Sequence, residues 1–160
     1  PVIICTSLFP AIVNAMITDI ELFKSRMKKL YFLMFWLSVF VALVITILAH
    51  PIIKILFGVP YLEAVNVLQI YVWAGVSVSL GVAVSQYLLS NNFTKISFYN
   101  TSLGAIVNVI LNIILIPRFG IKGAAFATLV SYTFSTFGVL IFKKTRDQGL
   151  LIAKAITNFR

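Results

Sequence analysis

The stretch Leu30–Ala49, LYFLMFWLSVFVALVITILA, runs for twenty residues without a charge, and its small polar residues are Ser38 and Thr46 alone. A helix rises about 1.5 Å per residue, so this run matches a hydrocarbon core about 30 Å thick. Three further runs do the same: residues 64–89, carrying Asn66, Gln69 and Gln86; residues 96–116; and residues 123–142. Val2–Ile17 is too short to cross alone and contains Pro10, so it reads as the back half of a fifth span whose front half precedes Pro1. The expected fold is therefore all-α, a polytopic membrane bundle of four full spans and one partial span. Residues 1–142 form the transmembrane lobe, and residues 143–160 form a basic tail.

Composition agrees with this and narrows the chemistry. Of 160 residues, 61% are hydrophobic and 11% charged, and the mean hydropathy is +1.05, which excludes an ordinary soluble domain. Four carboxylates, one histidine (His50) and one cysteine (Cys5) leave little material for acid–base catalysis or metal ligation, so no catalytic residue, metal or cofactor is expected. The net charge of +9 would suggest nucleic acid if the cations shared one face of a soluble domain. They lie instead between and after apolar runs, where they report topology, and no nucleic-acid partner is expected.

Alternating spans put DIELFKSRMKK (19–29), NNFTK (91–95) and the tail on one side, and HPIIKILFGVPY (50–61) and PRFGIK (117–122) on the other. The first side holds ten of the thirteen cations, from Lys24 to Arg160, against Lys54, Arg118 and Lys122 on the second, so the first side is predicted to be cytoplasmic. Pro51, Gly58 and Pro60 bracket IIKILF, which reads as a brief helix in the outer interface. In the tail, Leu151, Ile152, Ala155, Ile156 and Phe159 recur near helical spacing, the pattern of an interfacial helix.

Inside lipid, packing faces are marked by small and polar residues. Ser77, Gly81 and Ser85 recur every four residues; Ser97, Thr101, Gly104, Asn108 and Asn112 form a second stripe, and Ala124, Thr128, Ser131, Ser135 and Gly138 a third. Two carboxamides on one face, Asn108 and Asn112, are costly in lipid unless they find partners or water. They either tie helices together or face an aqueous cavity and touch a polar substrate, and Gln69 and Gln86 divide in the same way. Lys54, Arg118 and Lys122 outside and Lys95 inside are candidates for contact with lipid headgroups. Tyr61, Tyr71 and Trp73 read as part of an interfacial aromatic belt. No span carries a charge at its centre; Glu63, at a span edge, is the one weak candidate for the intramembrane carboxylate of a cation-coupled transporter.

The ordered set SLFPAI, DIELFKSRMKKL, PIIKILFG followed by Tyr61, and NVILNIILIPRFGIKGAAFATLVSY resembles the C-terminal half of polysaccharide biosynthesis membrane proteins. These are the O-antigen flippases of the multidrug/oligosaccharidyl-lipid/polysaccharide exporter superfamily. The resemblance covers roughly Ser7–Phe142 and is most specific from Asn108 to Tyr132. It implies the C-terminal lobe of a two-lobed transporter in the bacterial cytoplasmic (inner) membrane, with a cytoplasmic C-terminus. The implied activity is movement of a polyprenyl-diphosphate-linked oligosaccharide, that is, lipopolysaccharide or related polysaccharide biosynthesis. Its implied partners are that lipid-linked oligosaccharide, membrane lipids and an N-terminal lobe of the same chain. Family members hold the diphosphate with basic cavity residues, whereas these spans supply none. A multidrug or cation antiporter of the same superfamily, a membrane-embedded glycan-assembly enzyme and a non-transporting scaffold are the alternatives.

Overall fold

The computed structural model of the chain describes residues 1–157, and for residues 16–18 the backbone only; the readings placed on Phe159 and Arg160 lie outside the described residues. Helix α1 spans Val2–Thr18, α2 Ile20–Leu56, α3 Ala64–Ser90, α4 Thr94–Phe119, α5 Ile121–Phe137 and α6 Arg146–Thr157. Single 3-10 turns occupy Val59–Tyr61 and Gly138–Leu140, the second extending α5. Helices α2, α3, α4 and the extended α5 are each long and apolar enough to cross a membrane. The fold is thus an all-α polytopic membrane bundle.

The largest departure from the sequence reading is α2. The basic segment 19–29 is not a connection, and IIKILF is not a separate helix; both belong to one helix of 37 residues, about 55 Å long and so much longer than the hydrocarbon core. Its start is set by Asp19, which has an extended backbone and whose carboxylate accepts the Glu21 N–H at 2.8 Å. From Ile20 to His50 there is neither glycine nor proline, so the charged residues, good helix formers, continue the helix outside the membrane. Pro51 removes one N–H without ending the helix, which closes six residues later where the Phe57 N–H reaches the Ile53 carbonyl at 2.9 Å.

The turn between α4 and α5 is equally economical. Pro117 sits inside the last turn of α4 rather than stopping it, and Gly120, at φ +58°, reverses the chain alone. Three residues on, a Cβ at Gly123 would collide with the Leu115 carbonyl, so glycine is what lets the two helices start so close together.

Helix α3 lies between α2 and α5, α4 packs almost wholly on α5, and α1 and α6 pack on α2. A buried cluster gathers at one end of the bundle, where Cys5, Phe9 and Ile12 of α1 meet Phe23–Met34 of α2, Leu80–Leu88 of α3 and Ile152 and Ala155 of α6. The tail helix is docked there: Tyr31, wholly buried on α2, donates its hydroxyl proton to Gln148 Oε1 at 3.2 Å. Helix α4 is the least covered span and leaves Ile106, Val109, Ile110, Ile113 and Ile114 exposed, a surface suited to lipid or to further protein rather than to water.

Candidate functional site

The small-residue stripes meet one another, and their hydroxyls replace the interhelical packing that large apolar side chains would give in water. Ser77 of α3 and Thr133 of α5 share a hydrogen bond of 2.8 Å, and Thr136 Oγ1 donates to the Ser77 carbonyl at 2.8 Å. On the other flank of α5, Ser135 Oγ donates to the Asn100 carbonyl at 3.0 Å, and a Cβ at Gly104 would lie 2.8 Å from that of Ser135. Ser38 donates to Ser79 at 2.6 Å across α2 and α3.

Because α5 holds α3 and α4 on opposite flanks, those two helices scarcely touch, and a groove opens between them. It encloses about 470 Å³ and is lined by Tyr71 of α3, by Thr101, Gly104, Ala105, Asn108 and Val109 of α4, and by Thr128, Ser131, Tyr132 and Ser135 of α5. Asn112 stands one turn beyond Asn108 and donates Nδ2–H to Asn108 Oδ1 at 2.8 Å. Its own Oδ1 is buried and without a hydrogen-bond partner. Leaving such an acceptor unmet costs about 1–3 kcal/mol, so it is a group a polar ligand or water would satisfy. A second cavity of about 320 Å³ adjoins the first through Thr101, Tyr132 and Ser135 and adds Gln86, Ser97, Asn100 and Thr136. Asn100 Oδ1 is likewise buried and unpartnered, against Gly138.

The sequence-derived candidates are thereby sorted. Asn108 lines the groove and Asn112 braces it; Gln86 lines the second cavity. Gln69 is elsewhere, its Nε2 donating to the Thr46 carbonyl at 3.1 Å across α2 and α3. Lys54, Lys95, Arg118 and Lys122 are exposed at helix ends, and none lines either cavity. Glu63 is exposed just before α3 and lines neither cavity. Two contributors escaped the sequence reading. Asn100 was legible, since Asn100, Gly104, Asn108 and Asn112 recur every four residues on α4. Tyr71 was assigned to an aromatic belt, and only the rotation of α3 brings it to the groove. Among the described residues no three His, Cys, Asp or Glu side chains come together.

The helices thus form a polytopic membrane bundle whose groove is lined by hydroxyls, a carboxamide and apolar side chains and by no charged residue. The chain belongs to the lipid II flippase MurJ family, whose model matches residues 1–159. It is also similar to a probable low-salt glycan biosynthesis flippase of Haloferax volcanii, 34% identical over 92 residues, which are 58% of this chain and 20% of the relative. Two uncharacterized membrane proteins of Methanocaldococcus jannaschii match too. One is 33% identical over 86 residues, 51% of this chain and 21% of the relative; the other is 37% identical over 81 residues, 51% and 16%. The matched region is about a fifth of each relative's length. No solved structure matches the chain. Membership is therefore in a family of flippases, which are transporters and not enzymes, and it does not extend to the O-antigen flippases that the motif order resembles.

Proposed function

We propose that the protein carrying this segment moves a polyprenyl-diphosphate-linked oligosaccharide across the bacterial cytoplasmic membrane by alternating access, with this segment as its C-terminal lobe. Family membership supports the class of cargo, and the Asn108–Asn112 pair on the groove carries the assignment of the site. A sugar diphosphate cannot cross hydrocarbon unaided, because its charges and hydroxyls would lose their hydration. A groove offering hydroxyls, the Asn108 carboxamide and water removes most of that cost for the glycan, while the polyprenyl tail stays in lipid. No bond is made or broken. Two conformations with unequal access to the two sides suffice, each favoured by its own differential contacts.

Neither cavity is lined by a cation, so on this reading the diphosphate is held by residues of the N-terminal lobe. An O-antigen repeat and a peptidoglycan precursor share this chemistry of sugar, diphosphate and polyprenyl; the motif order points to the former and the name of the matched family to the latter. The antiporter reading needs an acid at membrane depth; the exposed position of Glu63 gives it no support. Replacing Asn108→Leu and Asn112→Leu together in the full-length protein should abolish surface polysaccharide while protein abundance stays normal. Export that continues unchanged would overturn the site, and a parallel loss of abundance would reduce the pair to packing.

A further inference from the structure

A third groove, of about 380 Å³, shares no lining residue with the other two and lies between the amino-terminal turns of α2 and the tail helix α6. Lys24, Lys28 and Lys29 line it together with Ser25 and Phe32 of α2 and Leu151 and Ala155 of α6. Glu21 is the acid that lines it, paired with Lys24 at 2.8 Å, and Asp147 in the first turn of α6 acts on Lys24 as well. Three ammonium groups against these two carboxylates leave a net positive wall over an apolar floor.

The place of this groove along α2 gives the ligand its shape. The charge-free run begins at Leu30, immediately after Lys29, so these lysines stand at the level of the lipid headgroups whichever way the chain is oriented. Ser25, Lys29, Phe32, Trp36 and Phe40 follow at intervals of four, three, four and four, one face of the helix. Phe32 and Trp36 are in ring contact at 6.2 Å, and Trp36 and Phe40 are exposed. A cationic notch thus opens at its membrane end onto an uncovered aromatic ridge that runs into the bilayer.

We infer that this notch is a binding site for an anionic membrane phospholipid, its phosphate on Lys24, Lys28 and Lys29 and an acyl chain along Phe32, Trp36 and Phe40. Charge complementarity selects the head, and the ridge selects a ligand with a hydrocarbon tail over a soluble anion. The site lies apart from the transport groove and does not rest on the transport reading.

The test uses the full-length protein in phosphatidylcholine vesicles, in a variant keeping Trp36 as its single tryptophan. Tryptophan fluorescence is titrated with brominated phosphatidylglycerol or brominated phosphatidylcholine. A lysine at a headgroup changes lipid affinity about fivefold, so the brominated anionic lipid should quench Trp36 at a mole fraction at least that much lower. The variant Lys24→Gln/Lys28→Gln/Lys29→Gln should erase the preference, and the corresponding triple arginine variant should keep it. Lys143→Gln/Lys144→Gln, which removes nearby charge outside the notch, should leave it intact. Equal quenching by the two lipids in the parent protein would overturn the site, as would equal losses in both glutamine variants, which would mean diffuse surface charge. Relief of quenching by inorganic phosphate would reassign the notch to a free anion, and relief by a polyprenyl diphosphate alone would reassign it to the cargo.

Discussion

At the scale of single residues, the bundle depends on atoms that are missing rather than present. The space a side chain at Gly104 would need is occupied by Ser135, whereas a Cβ at Gly75 on α3 would meet nothing within 4 Å. Gly104→Val should therefore destabilise the full-length protein by about 1–3 kcal/mol through forced separation of α4 and α5. Gly75→Ala should leave stability unchanged or raise it slightly, because it adds helix propensity without a clash. Thermal unfolding of the detergent-solubilised protein compares the two; an equal effect of both would mean that the α4–α5 approach is not as close as the Ser135 contact requires. The buried Oδ1 atoms of Asn100 and Asn112 have the opposite character: they are present and unmet. Asn100 lines the second cavity and Asn112 braces Asn108 on the first, and on the proposed reading a ligand or water there supplies the missing donors.

At the scale of elements, the spans were legible because crossing a bilayer demands an unbroken length of apolar residues, and Leu30–Ala49 satisfies that demand with no competing pattern. The ends of α2 were not legible, because a charged segment beside an apolar run has the composition of a loop as well as of an extended helix. Lys, Arg, Glu, Leu and Met all favour helix, and with no glycine or proline before Pro51 nothing local stops it. The meeting of the stripes on α4 and α5 could be foreseen from their spacing. The groove could not, since it exists only because α5 separates α3 from α4, a matter of which flank each helix takes. The docking of α6 was also hidden: the apolar spacing of Ile152 and Ala155 suits a lipid surface as well as a helix partner, and only the Tyr31–Gln148 bond distinguishes them. Gln148→Leu leaves the Tyr31 hydroxyl buried without its acceptor, a loss of about 1–3 kcal/mol to the docked state. Trypsin cleavage at Lys143, Lys144 and Arg146 should then accelerate about 5–150-fold if cutting follows release of α6. An unchanged rate would show that α6 is held by its apolar contacts alone.

At the scale of the whole molecule, the decisive asymmetry is electrical. Phe23 of α2 lies against Tyr87 at the end of α3, with ring centroids 6.2 Å apart, and Tyr87 lies against Phe93, just before α4, at 6.5 Å. The lysines of 24–29, Lys95 and the docked α6 with Lys154 therefore gather at one end of the bundle, while Lys54, Arg118 and Lys122 stand at the ends of helices running the other way. Short loops rich in Lys and Arg stay on the cytoplasmic side during insertion, and on that ground we propose that the first end faces the cytoplasm, and the C-terminal helix with it. Lys95→Cys and Lys122→Cys examine this directly, since both side chains are exposed and Cys5 is wholly buried. In a full-length background without other reactive cysteines, a membrane-impermeant maleimide should label Lys122→Cys in intact cells and Lys95→Cys only after permeabilisation. Labelling in the opposite order would invert the orientation. It would also place the cation-rich end, and the lipid notch beside it, in the outer leaflet, where the transport cycle proposed for the groove would have to run in reverse.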